Sequence, residues 1–107
     1  MADTCMIYGT ASSPAEARMI ARALVQEKLV ACVNILDGAA SVYRWQGAVE
    51  EAVESVFIAK TTKALSGEVL TRIQELHSYD VPAAVVYDMT GGLPGYLAWI
   101  VSETKAS

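Results

Sequence analysis

Apolar residues along this chain recur with two alternating periods. Residues 4–11, Thr-Cys-Met-Ile-Tyr-Gly-Thr-Ala, form a short strand-like run closed by Ser12 and Ser13. From Pro14 the period changes. Ala17, Ile20, Ala21 and Leu24 recur at helical spacing, with Arg18, Arg22 and Gln26 opposite, and this predicts a helix over 14–28. Ser13 can cap its free amides, Pro14 fits the first turn, and Glu16 occupies the acid position of a capping box. Strand pattern returns at 30–36 and resumes at 40–46, with Asp37-Gly38 between them as a turn or bulge signal. Gly47 marks a turn. Residues 49–61 read as one strand long enough to form an arm reaching past its own sheet. Leu65, Val69, Ile73 and Leu76 form the stripe of a second helix over 65–77. Pro82 should open a strand at 83–88, since proline sits at a strand's start more readily than inside it. Gly91-Gly92 is a loop, Pro94 starts a short last helix, and 102–107 are a polar tail.

The resulting order, β-α-β-β-α-β with an extra C-terminal helix, is the α+β, ferredoxin-like split βαβ plan in one domain spanning 1–107. Right-handed crossovers place both long helices on one face of an antiparallel sheet. The other face should then be polar. It is not. Val53, Ser55, Phe57, Ala59 and Thr61 fall on one side of the long strand, and Glu54, Val56, Ile58 and Lys60 on the other. Val33 and Ile35 oppose Cys32, Asn34 and Leu36, and Val85 and Tyr87 oppose Ala84 and Val86. Each aliphatic side chain left in water forgoes roughly 1.5–3 kcal/mol of burial. The last helix is too short to form a second layer, so further copies of the chain are the simplest cover for that face.

Composition narrows the class. Hydrophobic residues make up 53% of the 107 and charged residues 19%, which excludes a disordered chain. A formal charge of −4 with no basic run argues against a nucleic-acid binder. No apolar window reaches the length of a transmembrane helix, and the opening Met1-Ala2-Asp3-Thr4 lacks the pattern of a secretory signal. No membrane partner is expected. Two cysteines are too few for a disulfide scaffold, so a reducing, cytoplasmic setting is the simpler expectation.

Few residues offer chemistry. His77, the only histidine, is either a metal ligand or cleft donor, or a helix cap packed on Tyr79. Cys32 is either a soft ligand for copper or a small buried strand residue, and Cys5 is a weaker candidate of the same kind. One histidine without a Cys-x-x-Cys spacing does not make a closed metal site, although symmetry could bring copies of one residue together. Tyr43 and Trp45 alternate on one strand face. They either line a subunit-interface cleft with Tyr79 or simply bury area between subunits. Glu54 and Lys60 are about 20 Å apart along one strand, too far to pair. No set of nucleophile, base and orienting acid is visible, so the expectation is a protein that is not an enzyme.

Several segments resemble one family. They are Ala31-Cys32-Val33-Asn34-Ile35, Ser41-x-Tyr43-x-Trp45-x-Gly47, Glu54 leading to Lys60-Thr61-Thr62, His77-x-Tyr79-x-Val81-Pro82, and Tyr96-Leu97-x-Trp99. Together they resemble the CutA family of divalent-cation-tolerance proteins over nearly the whole chain. That resemblance implies a ferredoxin-like fold, tight homotrimers packed around a threefold axis, and an architecture related to the PII signalling proteins. It also implies binding of divalent cations (Cu²⁺ or another), with no organic cofactor and no established catalytic activity. The family's lysine lies in a cleft between subunits. Carried over, Cys32 and His77 become the metal candidates, and Tyr43, Trp45, Glu54, Lys60 and Tyr79 the cleft residues. A PII-like sensor of a small ligand or anion, and a structural adaptor for an unidentified protein, are the alternatives. Gln46, Ser78 and Ala83 depart from the family pattern, which often has Glu, Pro and Glu at these places.

Overall fold

The computed structural model describes residues 3–106; Met1, Ala2 and Ser107, at the chain's opening and at the end of the expected polar tail, lie outside the described residues. Strand β1 (Thr4–Ala11) has the expected bounds, with Cys5, Ile7 and Ala11 fully buried. Helix α1 (Pro14–Gln26) begins at Ser13, whose hydroxyl accepts from the Glu16 amide at 3.1 Å. Its buried stripe is Ala17, Ile20, Ala21 and Leu24. The helix stops two residues before the expected 28. Glu27 caps it, and Lys28 takes the left-handed conformation, φ 59°, that usually calls for glycine. No glycine marks that end in the sequence.

The two strands expected at 30–36 and 40–46 are one strand, β2 (Cys32–Trp45), interrupted by a bulge between Leu36 and Ala39. Gly38 supplies the positive φ of the bulge, 77°. The bulge is pinned from outside. Arg18 Nη2 donates to Asp37 Oδ2 at 3.1 Å and Ser55 Oγ to Asp37 Oδ1 at 2.8 Å. The Arg18 bond, then the Ser55 bond, hold the Asp37 carboxyl below its usual range. Strand β3 (Ala48–Thr62) returns through Gln46 and Gly47, both at positive φ, the backbone that matches a hairpin to strand twist.

A 3₁₀ turn at Lys63–Leu65 leads into α2 (Ser66–Leu76), so the helix expected from 65 opens one turn tighter than an α-helix. His77 is its C-cap in extended conformation, not its last helical residue. Strand β4 (Ala84–Asp88) starts two residues after Pro82, and α3 (Pro94–Ser102) buries Ile100.

The sheet order is β2-β3-β1-β4, with every neighbour antiparallel. This is the ferredoxin-like arrangement. Ile7, Phe57 and Ala59 from the sheet meet Ile20 and Leu24 of α1 and Val69 and Ile73 of α2, all fully buried. Phe57 lies across from Gly9, where a Cβ would come within 2.3 Å of the ring. Glycine there is a packing requirement.

On β3, β1 reaches only to Ser55, which pairs with Ala11. Beyond it, 39–45 and 48–54 pair with each other alone and form the expected arm. It contributes to an outline of 46 × 25 × 21 Å. Val42, Trp45, Val49 and Val53 are exposed on it. Val53 shares the parity of Phe57, yet it is 72% exposed, because no helix extends over the arm.

Candidate functional site

Cys32, Lys60 and Glu54 lie on the face of the sheet turned away from α1 and α2, and together with Tyr79 and His77, on and beside the bend after α2, they make two separate ends. Between the ends the face is apolar. Met6, Tyr8, Ile58 and Tyr87 line a shallow depression of about 200 Å³. Leu36 and Val85, on the same side, are at least half exposed.

At one end, β2 and β3 place Cys32 directly across from Lys60. The Cys32 thiol meets the Tyr96 hydroxyl at 3.5 Å, so α3 covers this corner of the face. Tyr96 also stacks on Trp99, with ring centres 5.8 Å apart. Its phenol is raised above the ordinary value by the contact with Cys32 and then by burial. Lys60 donates to the Asn34 side chain. Among the described residues it has no carboxylate partner, unlike Lys63, which meets Asp88, or Lys105, which meets Glu68. The arrangement therefore offers a soft sulfur donor, a phenol and a cation on one small surface.

At the other end, Tyr79 donates its phenol proton to Glu54 Oε2 at 3.2 Å. Burial, and next the Glu54 charge, raise that phenol, and Tyr43 lies near enough to add to the rise. Tyr79 stands on the bend after α2, and its ring packs on His77 at 4.7 Å. The His77 ring is enclosed and both of its nitrogens are taken. Nδ1 accepts from the Tyr79 amide at 3.0 Å, and an amide only donates. Nε2 therefore carries the proton and gives it to the Thr10 carbonyl at 2.7 Å. A metal ion at His77 would have to displace one of these backbone bonds.

Glu16 stands beside the ring, its Oε1 3.7 Å from Nδ1. Burial alone would raise this carboxyl. The hydrogen bonds from Ser78 and Ser12 outweigh it and hold the group down at about 2. Trp45 belongs to neither end. It lies beside the arm's turn, paired with Ala48 and 60% exposed.

The two ends are well separated. Thr10, which holds His77, pairs with Val56, and Cys32 pairs with Lys60, four residues further along β3. Four strand residues span roughly 13 Å, whereas a metal–ligand bond is about 2 Å. One ion cannot touch Cys32 and His77 of one chain. Among the described residues, no three His, Cys, Asp or Glu side chains converge on a cation position. Tyr96, Asn34 and Glu16 are the contributors that the sequence pattern did not single out for these places. Glu16 stood out only as a cap.

The sequence model of the CutA1 divalent ion tolerance protein family matches residues 5–103. The chain belongs to the CutA1 family. It is 43% identical over 95 residues to the divalent-cation tolerance protein CutA of Thermus thermophilus, covering 89% of this chain and 92% of that one. It is 37% identical over 100 residues to the chloroplastic CutA of Arabidopsis thaliana, but that match spans only 55% of the plant protein. Among solved structures, CutA1 from Oryza sativa superposes with a TM-score of 0.97 at 33% identity, covering 99% and 97% of the two chains. CutA from Xylella fastidiosa gives 0.94 at 41% identity, covering 96% and 99%.

In this CutA1-family chain Gln46, Ser78 and Ala83 all fall between elements. Gln46 takes φ 49° at the arm's tip. Ser78 gives its amide to Glu16 Oε2 at 3.0 Å. The Ala83 carbonyl accepts from the Thr10 amide at 3.4 Å, at the entry to β4. The family is named for tolerance of divalent ions, not for a reaction.

Proposed function

We propose that this chain is a non-enzymatic divalent-cation tolerance protein that works as a homotrimer and binds Cu²⁺ through Cys32. The observation carrying the assembly is the open sheet face. Tyr8, Leu36, Val85 and Tyr87 are 39–54% exposed around the apolar depression, and the arm adds Val42, Val49 and Val53. A face of this kind is stable in water when copies of the chain cover it. Threefold symmetry would also bring together donors that one chain keeps apart. Light scattering at micromolar concentration should return three copies of an 11.4 kDa chain, about 34 kDa. A single 11.4 kDa particle overturns the assembly and the clefts between subunits with it.

The metal reading rests on the thiol of Cys32, which is free and partly accessible, and on the relatives' shared description. Calorimetric titration with Cu²⁺, Zn²⁺ and Mg²⁺ should show tight Cu²⁺ binding that Cys32→Ser removes. His77→Ala tests whether the ring gives up a backbone bond to join. Unchanged binding in both variants removes both residues as ligands. A cytoplasmic setting belongs to the same proposal, supported by the two free thiols, and cell fractionation tests it.

One observation favours a second reading, a PII-like sensor of a small anion. Lys60 presents its charge beside Asn34 and across from Cys32, with no carboxylate partner among the described residues. Saturable binding of inorganic phosphate that is lost in Lys60→Met, with Cu²⁺ binding uneven in stoichiometry, would decide for it.

A further inference from the structure

Glu16 has more to do than close a helix. Its amide is capped by Ser13, and its Oε1 reaches back to the Ser12 amide at 2.9 Å and the Ser12 hydroxyl at 3.0 Å. Those bonds complete the start of α1. Oε2 is spare for that purpose, and it accepts the Ser78 amide across 62 residues of chain at 3.0 Å. Ser78 lies between His77 and Tyr79 on a bend with no strand or helix to hold it. The amides here are engaged in series: His77 to the Ile73 carbonyl, Ser78 to Glu16, Tyr79 to the His77 ring. Among these, Glu16 is the only partner outside the α2 segment, and it sits on the hydrogen-bonded first turn of α1.

The geometry points to Glu16 as a positioning residue: by holding the Ser78 amide, it sets Tyr79 against Glu54 at the root of the arm. Glu16 does not touch the Tyr79–Glu54 pair itself. An amide bonded to a carboxylate is among the stronger neutral-donor contacts. Two other ties act on the same bend. His77 Nε2 holds it to Thr10, and Gln74 Nε2 donates to the Asp80 carbonyl at 2.9 Å. Neither fixes the peptide that joins His77 to Ser78. The functional weight of this placement rests on reading Tyr79 and Glu54 as cleft residues. The test uses no ligand, so that reading and this one can fail separately.

The test is an NMR measurement on the full chain. It follows the nuclear Overhauser contact between the Tyr79 ring and the Glu54 side chain, together with the Ser78 amide proton shift. In Glu16→Ala the contact should weaken, since losing one charge-assisted hydrogen bond shifts the equilibrium between held and released bend by roughly tenfold. Glu16→Gln keeps an acceptor oxygen and should restore most of it. Ser78→Ala keeps the amide, removes the hydroxyl contact to Glu16, and should leave most of it intact. Should Glu16→Ala fail to fold, replacing the residue-78 amide with an ester in a Ser78→Ala background removes both Ser78 donors to Glu16 and leaves the α1 cap whole. An ester chain with the Tyr79–Glu54 contact at full strength overturns the proposal and assigns the bend to His77 and Gln74.

Discussion

Phe57 and Ile58 are neighbours on β3 and point to opposite sides of one sheet. Phe57 is fully buried beneath α1 and α2, whereas Ile58 borders the open depression beside Tyr8 and Tyr87. Both sides are apolar, but only one is completed by the chain itself. The fold's free energy therefore resides on the helix-covered side, and the other side is the one proposed for assembly. Phe57→Ala should cost about 3–5 kcal/mol in urea unfolding at any protein concentration. If copies of the chain cover that face as proposed, Ile58→Ala should cost less at high dilution and more as concentration rises. Equal, concentration-independent losses at the two positions would break the distinction.

Gly9 sharpens the same contrast within β1. A methyl added there would sit 2.3 Å from Phe57 Cζ and 2.9 Å from the Ala83 carbonyl, and backbone cannot give way as a flexible side chain can. Gly9→Ala should destabilise by roughly 1–3 kcal/mol, measured as a lower urea midpoint with unchanged slope. Thr10 is the next residue, on the opposite parity, and Thr10→Ala should change the midpoint far less.

Third in size is an effect of acid. The Glu16 carboxyl is lowered in the folded chain from 4.5 to about 2, because the Ser78 and Ser12 bonds outweigh burial. A lowered carboxyl contributes stability that is complete above its unfolded value and is lost as pH falls through the folded one. The loss should therefore run from about pH 4.5 down to about 2. Allowing for solvent screening, it is on the order of 2 kcal/mol. Glu16→Gln should flatten that segment of the stability–pH curve. An unflattened curve would show that other carboxylates dominate acid unfolding.

How far the sequence alone reaches follows from the range of each interaction. The stripes Ala17-Ile20-Ala21-Leu24 and Val69-Ile73 repeat within one element, so periodicity reveals them, and the element order then implies the sheet. Boundaries depend on single backbone angles. Lys28 ends α1 in a conformation that its side chain does not advertise. The arm was visible as an overlong strand, but its bulge fused two expected strands into one. Contacts at the candidate site join Cys32 to Tyr96 over 64 residues and Tyr79 to Glu54 over 25. No local pattern encodes such pairings. Resemblance to relatives pointed to Tyr79, Glu54 and Cys32 as residues of interest, and only the folded chain separates them into two ends.

The arm gives the smallest expected effect on the fold and the clearest separation of fold from assembly. Trp45 is 60% exposed beside the turn, outside the core cluster, and its partner Ala48 is exposed too. Trp45→Ser should shift the urea midpoint of the dilute chain by an amount within about 0.5 kcal/mol, the range of ordinary surface substitutions. An indole left 60% in water is nonetheless a large apolar surface, and the arm projects it away from its own core. If copies of the chain cover the arm, the same substitution should lower the mass seen by light scattering on dilution, with the fold intact by circular dichroism. If stability falls by several kcal/mol at every concentration, the arm belongs to the fold of the single chain, and the division drawn between the two regions fails.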